Sequence, residues 1–526
     1  MKIAPILLRS LHIFLSLFLV LGPAAGPGSL FAQQASTAGS ATGTIITDEE
    51  ALFGDDAPDT LDAGPAAAAG AADAAAALVP GASGTTISSA SGTPGASITS
   101  TFLKSEQVRI GGTFTGRLGA SFSWTNPYED NRDPLNPDQS SLEPTIASTV
   151  FLNARPEEDL RVYGSIKTAW PFTKTSTFLT GATYNNTPSP TVTTTEESLS
   201  TANLQIFELF SDFTWDDRVY FRFGKHTVTW GVGYFFSPAD VINLTPIDVS
   251  DPTAQREGPI SLRALLPIPN SQNNLWGYLL LPGSSSSGSF APEEVAYAFK
   301  GEFLLADNEI GLGGFYQKDK APRIMATLSG SLNRFDLFAE AAVSWGNDRQ
   351  YIKSLSPIPA FESRDERWYF QGTAGFLYST RDGYTNIAIQ YYYNGEGYPY
   401  DERTKLVDQF TALPQAVQDS LSPVLIGSLY GASQHYGALS ISRSQLFIKD
   451  LSAQVLVFAN LADLSGFITP TVQYRVFKYM TLSLSPRFVW YIDGLWGTGK
   501  SSEYVLLNNG PAVTVSLSAS LGSSRF

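Results

Sequence analysis

Val513-Thr514-Val515-Ser516-Leu517-Ser518-Ala519-Ser520-Leu521 alternates apolar and small residues, with a hydroxyl at every second position. Successive side chains of a β-strand point to opposite faces, so this run builds one greasy face and one wet face. The same design opens the patterned part of the chain. There Val108, Ile110, Phe114, Leu118, Phe122 and Trp124 share one face, and Arg109, Thr113, Thr115, Arg117, Ser121 and Ser123 share the other. It returns at Val295, Tyr297, Phe299 and Phe303 against Glu294, Lys300 and Glu302, and at Phe335, Leu337, Ala339, Ala341, Val343 and Trp345 against Asp336, Glu340 and Ser344.

A soluble sandwich also alternates, so the solvent must be decided by other features. Aromatic residues gather at strand ends, as in Trp368-Tyr369-Phe370 with Phe376 and Tyr378, or Phe488 with Trp490-Tyr491, where a membrane interface would hold them. The polar face is small, hydroxylic or charged, which suits a hydrated lumen better than a dry core. Connections also alternate in length. Long ones are expected near 126–143, 170–202, 230–259, 347–367, 394–435 and 491–511, with short turns at 156–159, 216–217, 306–308, 333–334, 380–383 and 478–479 between them. Transmembrane barrels have short turns at one end and long loops at the other. The expectation is an all-β fold, a transmembrane antiparallel β-barrel of about 18 strands, with 16 as the alternative because Ile260 to Leu281 reads ambiguously.

Composition agrees. Charged residues make up 16% of the 526 residues, aromatics 12%, and there are 45 glycines; soluble domains average about 25% charged. The net charge of -15 argues against a nucleic-acid partner, which needs clustered Lys and Arg to displace phosphate counterions. Cysteine is absent, which excludes disulfides, thiolate metal sites and a lipidation cysteine.

Residues 1–32 read as a signal peptide: Lys2 and Arg9 precede the apolar stretch Leu11 to Leu21, and Leu30-Phe31-Ala32 forms a small-residue exit. The apolar stretch is shorter than the ~20 residues of a spanning helix. Residues 33–104 are rich in Ala, Gly, Ser and Thr, with acidic patches at Asp48-Glu49-Glu50 and Asp55-Asp56, and are expected to form a flexible periplasmic tail. The barrel is expected over 105–526. Phe526 resembles the terminal aromatic assembly signal of outer-membrane barrels, although it is out of phase with Val513 to Leu521 unless a bulge at Gly522 intervenes.

The most distinctive stretch is Arg222-Phe223-Gly224-Lys225-His226-Thr227-Val228-Thr229-Trp230-Gly231-Val232-Gly233, continuing through Phe235-Phe236-Ser237-Pro238-Ala239-Asp240-Val241-Ile242-Asn243 to Arg256-Glu257-Gly258-Pro259. Over roughly 205–280 it resembles segments of large porin-like barrels, including the alginate-export-like group; the resemblance implies a porin-like fold and no particular substrate. Gly231 and Gly233 permit a sharp bend, so Trp230 to Pro259 is expected to fold inward and narrow a pore, with Trp230, Asp240, Asp248, Asp251, Arg256 and Glu257 at the constriction; a loop packed on the rim is the alternative. Pore-lining charges are expected at Arg109, Arg117, Arg161, Lys167, Arg222, Arg475 and Arg487 on one wall and at Glu302, Glu309, Asp336 and Glu340 on the other.

Catalysis finds little footing. Histidine occurs only at 12, 226 and 435, neither His226 nor His435 lies in a nucleophile-elbow sequence, and Gly499 to Ser501 lacks the upstream glycine of a phosphate loop. The expectation is therefore a channel for small polar solutes, needing no cofactor or metal, embedded in outer-membrane lipid and inserted by the barrel-assembly machinery. A plugged barrel binding ligands through its outer loops is the competing reading. In the longest loop Leu406, Phe410, Leu413, Val417, Leu421, Leu425 and Leu429 recur at near-helical spacing, broken at Pro414 and Pro423.

Overall fold

The computed structural model describes residues 107–525 other than 128–132, 134–135, 158, 186–190, 245, 283–289, 356–358, 493–501 and 505–511. The expected leader and tail, Gly499 to Ser501 and Phe526 lie outside the described residues.

Eighteen antiparallel strands form one closed sheet. They begin with β1 (Val108–Thr125), β2 (Gln139–Glu157), β3 (Leu160–Asn185), β4 (Thr191–Trp215), β5 (Val219–Lys225), β6 (Ile260–Pro267) and β7 (Asn274–Leu281). β8 (Ala296–Leu305), β9 (Asn308–Tyr316), β10 (Arg323–Leu332) and β11 (Phe335–Trp345) follow. A separate hairpin of β12 (Tyr351–Ser354) and β13 (Ala360–Glu362) interrupts the wall. The wall resumes with β14 (Trp368–Ser379), β15 (Thr385–Asn394), β16 (His435–Arg443), β17 (Leu451–Asn460), β18 (Ser465–Phe477), β19 (Met480–Tyr491) and β20 (Ala512–Arg525). Each strand pairs with its sequence neighbour in the wall, and β1 pairs with β20, so the sheet has no free edge. The ambiguous Ile260 to Leu281 stretch resolves into the β6–β7 hairpin, which settles the count at 18.

Register follows the alternation. Outward positions remain exposed although they are large and apolar: Ile110 is 64% exposed, Phe299 65% and Ile324 68%. Such a surface recurs all round the ring, whereas soluble monomers rarely expose contiguous apolar patches beyond a few hundred Å². It is the outer face of a membrane-spanning barrel, in which closure satisfies every ladder hydrogen bond within the sheet. Trp215, Trp345 and Trp368 stand exposed at strand ends, two of them in edge contact across β11 and β14.

The short turns gather at one end, where Asp216, Asp217, Ala306, Asp307 and Asn333 adopt positive φ to reverse the chain within two or three residues. At β20 the register against β1 shifts, with Thr115 opposite Gly522 and Phe114 opposite Ser524. Gly522 has φ +89°, a bulge at the position where the sequence phase required one.

Two loop expectations need correction. Residues 170–202 are not a loose connection, since β3 and β4 continue to Asn185 and from Thr191 as paired strands. Their Thr-rich composition lacks a greasy face and so reads as loop, yet backbone pairing and β-branched side chains sustain a strand. The long insert after β15 forms two helices, α1 (Tyr400–Thr411) and α2 (Gln415–Leu429); Pro414 separates them as expected, but Pro423 sits inside α2 without ending it.

Candidate functional site: the barrel interior and its inward segment

Near the end of β5, Gly224 has a φ of +133° that turns the chain, and a Cβ here would lie 2.1 Å from the Leu209 carbonyl oxygen. The following residues, 226–259, run across the inner faces of β7 to β17 rather than away from the barrel. Trp230 is 2% exposed; its ring packs edge-on to Tyr278 of β7, and its indole N–H points at the Met325 sulfur of β10. Its carbonyl accepts the Lys300 ammonium of β8 at 3.0 Å. Val228, Ala239 and Ile242 fill the space between, forming an apolar cluster with Tyr278, Leu280, Ala298 and Met325.

Further on, two wall side chains hold the backbone of this segment. Glu340 of β11 accepts the amides of Val232 (2.5 Å), Gly233 (2.6 Å) and Ala239 (2.9 Å), and the Ser237 hydroxyl at 3.0 Å. Gln390 of β15 accepts the amides of Tyr234 and Phe235 at 3.1 and 2.6 Å, and donates to the Phe236 carbonyl at 2.6 Å. Backbone in a low-dielectric interior must find such partners, because an orphaned buried amide costs ~1–3 kcal/mol. Phe236 then stacks on Tyr392 and touches Tyr436 and Phe458. The return limb is pinned by Asp240, which accepts Asn243 and pairs with Arg256, and by Glu257, which pairs with Lys225 and accepts Gln205 at 2.7 Å.

The residues singled out in the sequence fall into distinct environments. Arg161 and Arg222 converge on Asp212, at 3.5 and 2.6 Å, and Arg222 lies over the Phe210 ring. Lys167 stands over Phe207, 3.1 Å from the ring centroid, and Arg487 over Phe467 at 3.8 Å. Arg109 and Arg117 face the lumen side of β1, opposite Asn153 and Thr145. Arg475 pairs with Asp450 at 3.0 Å, and Asp336 accepts Ser331 at 2.6 Å, both near the short-turn end. Glu309 opens β9 opposite Ser329. In the inward segment, Asp248 and Asp251 are exposed and cap their own turns through Ser250 and Thr253.

Glu302 and Glu340, expected to line a wet lumen, are instead buried at 6% and 4% exposure. Glu302 pairs with Lys300 at 2.7 Å and accepts the Trp276 N–H at the same distance, while Glu340 is enclosed by the segment it holds. Asp212, Lys300 and Gln390 were missed as site residues. Each sits on the lumen parity of its strand, so alternation placed them inside, but nothing local to the sequence marked their partners.

The long-loop end carries a cap. α1, α2 and the β12–β13 hairpin share a buried core of Tyr351, Ile352, Leu406, Val407, Leu425 and Leu429. Arg403 of α1, 1% exposed, donates to Asp463 at 2.7 Å and lies 3.7 Å from Glu503. Glu503 also accepts Gly431 N–H at 2.7 Å and Asn460 at 2.7 Å, and burial pushes its carboxyl up from the usual range. α2 reaches β4, which stands across the ring from the strands that carry it.

His226 is fully buried, its Nδ1 3.2 Å from the Gly224 carbonyl, and His435 bonds the Tyr391 hydroxyl at 2.7 Å. Among the described residues no group of three His, Asp or Glu is placed to hold a metal. In architecture the chain is a closed, 18-stranded antiparallel β-barrel with one segment folded into its interior.

No protein-family model matches the chain, and no curated protein matches it. Solved structures to which this barrel is similar include OccAB4 of Acinetobacter baumannii, at 8% identity and a TM-score of 0.41, covering 81% of this chain and 100% of that one. The outer membrane channel DcaP of Acinetobacter baumannii gives 12% identity and 0.37, covering 80% and 99%. OccK7 of Pseudomonas aeruginosa gives 8% and 0.41, covering 79% and 98%.

Proposed function

We propose that this protein is an outer-membrane channel for passive diffusion of small polar solutes, with the segment 226–259 as its internal constriction. The observation that carries the reading is a closed barrel, apolar outside, whose longest inward connection is fastened to the far wall by Glu340 and Gln390. A folded-back segment narrows a water-filled cylinder, and the charges that remain lumen-facing bias what passes. On this reading the tail before β1 lies in the periplasm with the short turns, the assembly machinery inserts the barrel, and the alginate-export-like resemblance of 205–280 belongs to the same proposal. No catalytic step or cofactor is part of it.

Deleting Val241 to Ser250 tests the constriction. Single-channel conductance should rise severalfold in planar bilayers; unchanged conductance would place the narrowest point elsewhere.

A second reading is favoured by the contact of α2 with β4, which roofs part of the mouth. Under it the barrel is a plugged surface receptor acting through its outer loops, and the folded protein would insert into bilayers without conducting.

A further inference from the structure

The interior is divided by burial. Between β7 and β16 the inward side chains of Tyr278, Lys300, Met325, Glu340, Gln390 and Tyr436 are covered, each at most 7% exposed. On β19, β20, β1 and β2 no inward serine or threonine is buried. The inward segment and its aromatic anchors pack against β7 to β17 and leave these serines and threonines uncovered.

The open side has a particular chemistry. Ser485, Ser516, Ser121 and Ser141 stand opposite one another on four successive strands. Thr471 extends the row, its hydroxyl donating to Ser485 at 3.1 Å, and Ser121 and Ser141 lie 2.7 Å apart. The strands that carry the row lie ~4.8 Å apart, close enough for neighbouring hydroxyls to bond one another. The next rows carry Ser483 and Ser518, then Thr481 and Ser520. Both signs of charge stand on this side: Arg117 and Glu143 flank Gly119, and the Glu143 Oε1 accepts the Ser121 and Ser141 hydroxyls at 3.2 and 2.8 Å. Arg487 is drawn aside over Phe467.

We infer that solutes travel along the β19–β20–β1–β2 side of the lumen, and that this hydroxyl-lined wall favours uncharged polyhydroxylated solutes of the sugar class. A hydroxyl both donates and accepts, so a sugar sliding over the rows exchanges water for wall hydroxyls at each step. A charged solute of equal size leaves bulk water and meets opposite charges side by side, Arg117 and Glu143, which offset one another rather than acting as one net counter-charge. The inference rests on the channel reading above and names the solutes for it.

The chain has no cysteine, so a single introduced thiol reports its own surroundings. Purified full-length Ser516→Cys and Ser440→Cys, the latter on the covered side and 6% exposed, would be treated with a thiol-reactive trimethylammonium reagent during bilayer recording. Ser518→Cys stands in if Ser516→Cys does not insert. Conductance should fall at least twofold at the β20 position and stay constant at Ser440→Cys; block at Ser440→Cys alone, or at neither position, overturns the path. In liposome swelling, glucose should enter severalfold faster than gluconate or protonated glucosamine, and equal or reversed rates overturn the solute class. Unmodified protein that inserts without conducting overturns the channel reading itself, an outcome separate from either of these.

Discussion

The Glu340 carboxylate lies 2.6 Å from the Gly233 amide, joining residues 107 apart in sequence and fixing the inward segment to the wall of β11. The same oxygen takes the Val232 amide and the Ser237 hydroxyl, and its partner oxygen takes Ala239. Glu340→Ala would leave those donors buried without an acceptor, at ~1–3 kcal/mol for each that finds no water. The expected result is a thermal unfolding midpoint in detergent several degrees lower, together with noisier and larger single-channel steps. A midpoint and conductance equal to the parent would show that the segment is held by packing alone.

Glycine is required at 233 for a steric reason. A Cβ there would sit 1.8 Å from the Phe236 carbonyl oxygen, which belongs to the same tight loop and cannot withdraw without breaking its bond to Gln390. Gly233→Ala should therefore destabilise by ~2 kcal/mol or more, in the range of other overpacked or strained substitutions. Gly427 is the contrast: it lies in α2 with nothing within 4 Å of its missing Cβ. Gly427→Ala should stabilise by up to ~1 kcal/mol, the helix-propensity difference. Parallel urea titrations of the two variants read both signs.

How much of this was legible beforehand differs by element. Alternation at Val108 to Trp124 and Val513 to Leu521 yields the strands, their faces and the solvent, because one period sets the side-chain direction in every strand. The inward course of Trp230 to Pro259 could be proposed from Gly231 and Gly233, but not its destination. That depends on Glu340 and Gln390, each a single polar residue on a strand that looks like any other. Asp212 was missed for the same reason: an ion pair across β4 and β5 is a matter of register, which sequence spacing alone leaves open. Hydroxyl-rich β3 and β4 were mistaken for loop where the apolar face that betrays a strand gives out.

The cap hangs on Arg403. With its guanidinium and both carboxylates of Asp463 and Glu503 almost fully buried, Arg403→Met would strand two negative charges out of water. Breaking such a cluster costs ~3–5 kcal/mol. Limited proteolysis should then cut within 400–429 at protease levels the parent resists, while the barrel strands stay intact. Resistance equal to the parent would mean that the shared core of α1, α2 and β12 suffices.

Glu503 gives this region a pH dependence of defined sign. Burial raises its carboxyl, so the folded cap binds that proton more tightly than the unfolded chain does. The cap is consequently most favoured by this group below the unfolded value of ~4.3, and loses that contribution as pH rises through the folded value. Hydrogen exchange across 400–429 should show protection that falls as pH rises through this window, after correction for intrinsic exchange rates. Glu503→Gln should flatten the change; an identical slope in the variant would assign it to another group.

Recording from the intact, purified protein in a planar lipid bilayer goes most directly to the reading of a greasy-walled cylinder with a wet interior. Discrete, ohmic current steps on insertion, present without any added ligand, are the predicted result. Folded, heat-modifiable protein that partitions fully into the bilayer and yet passes no current would contradict it.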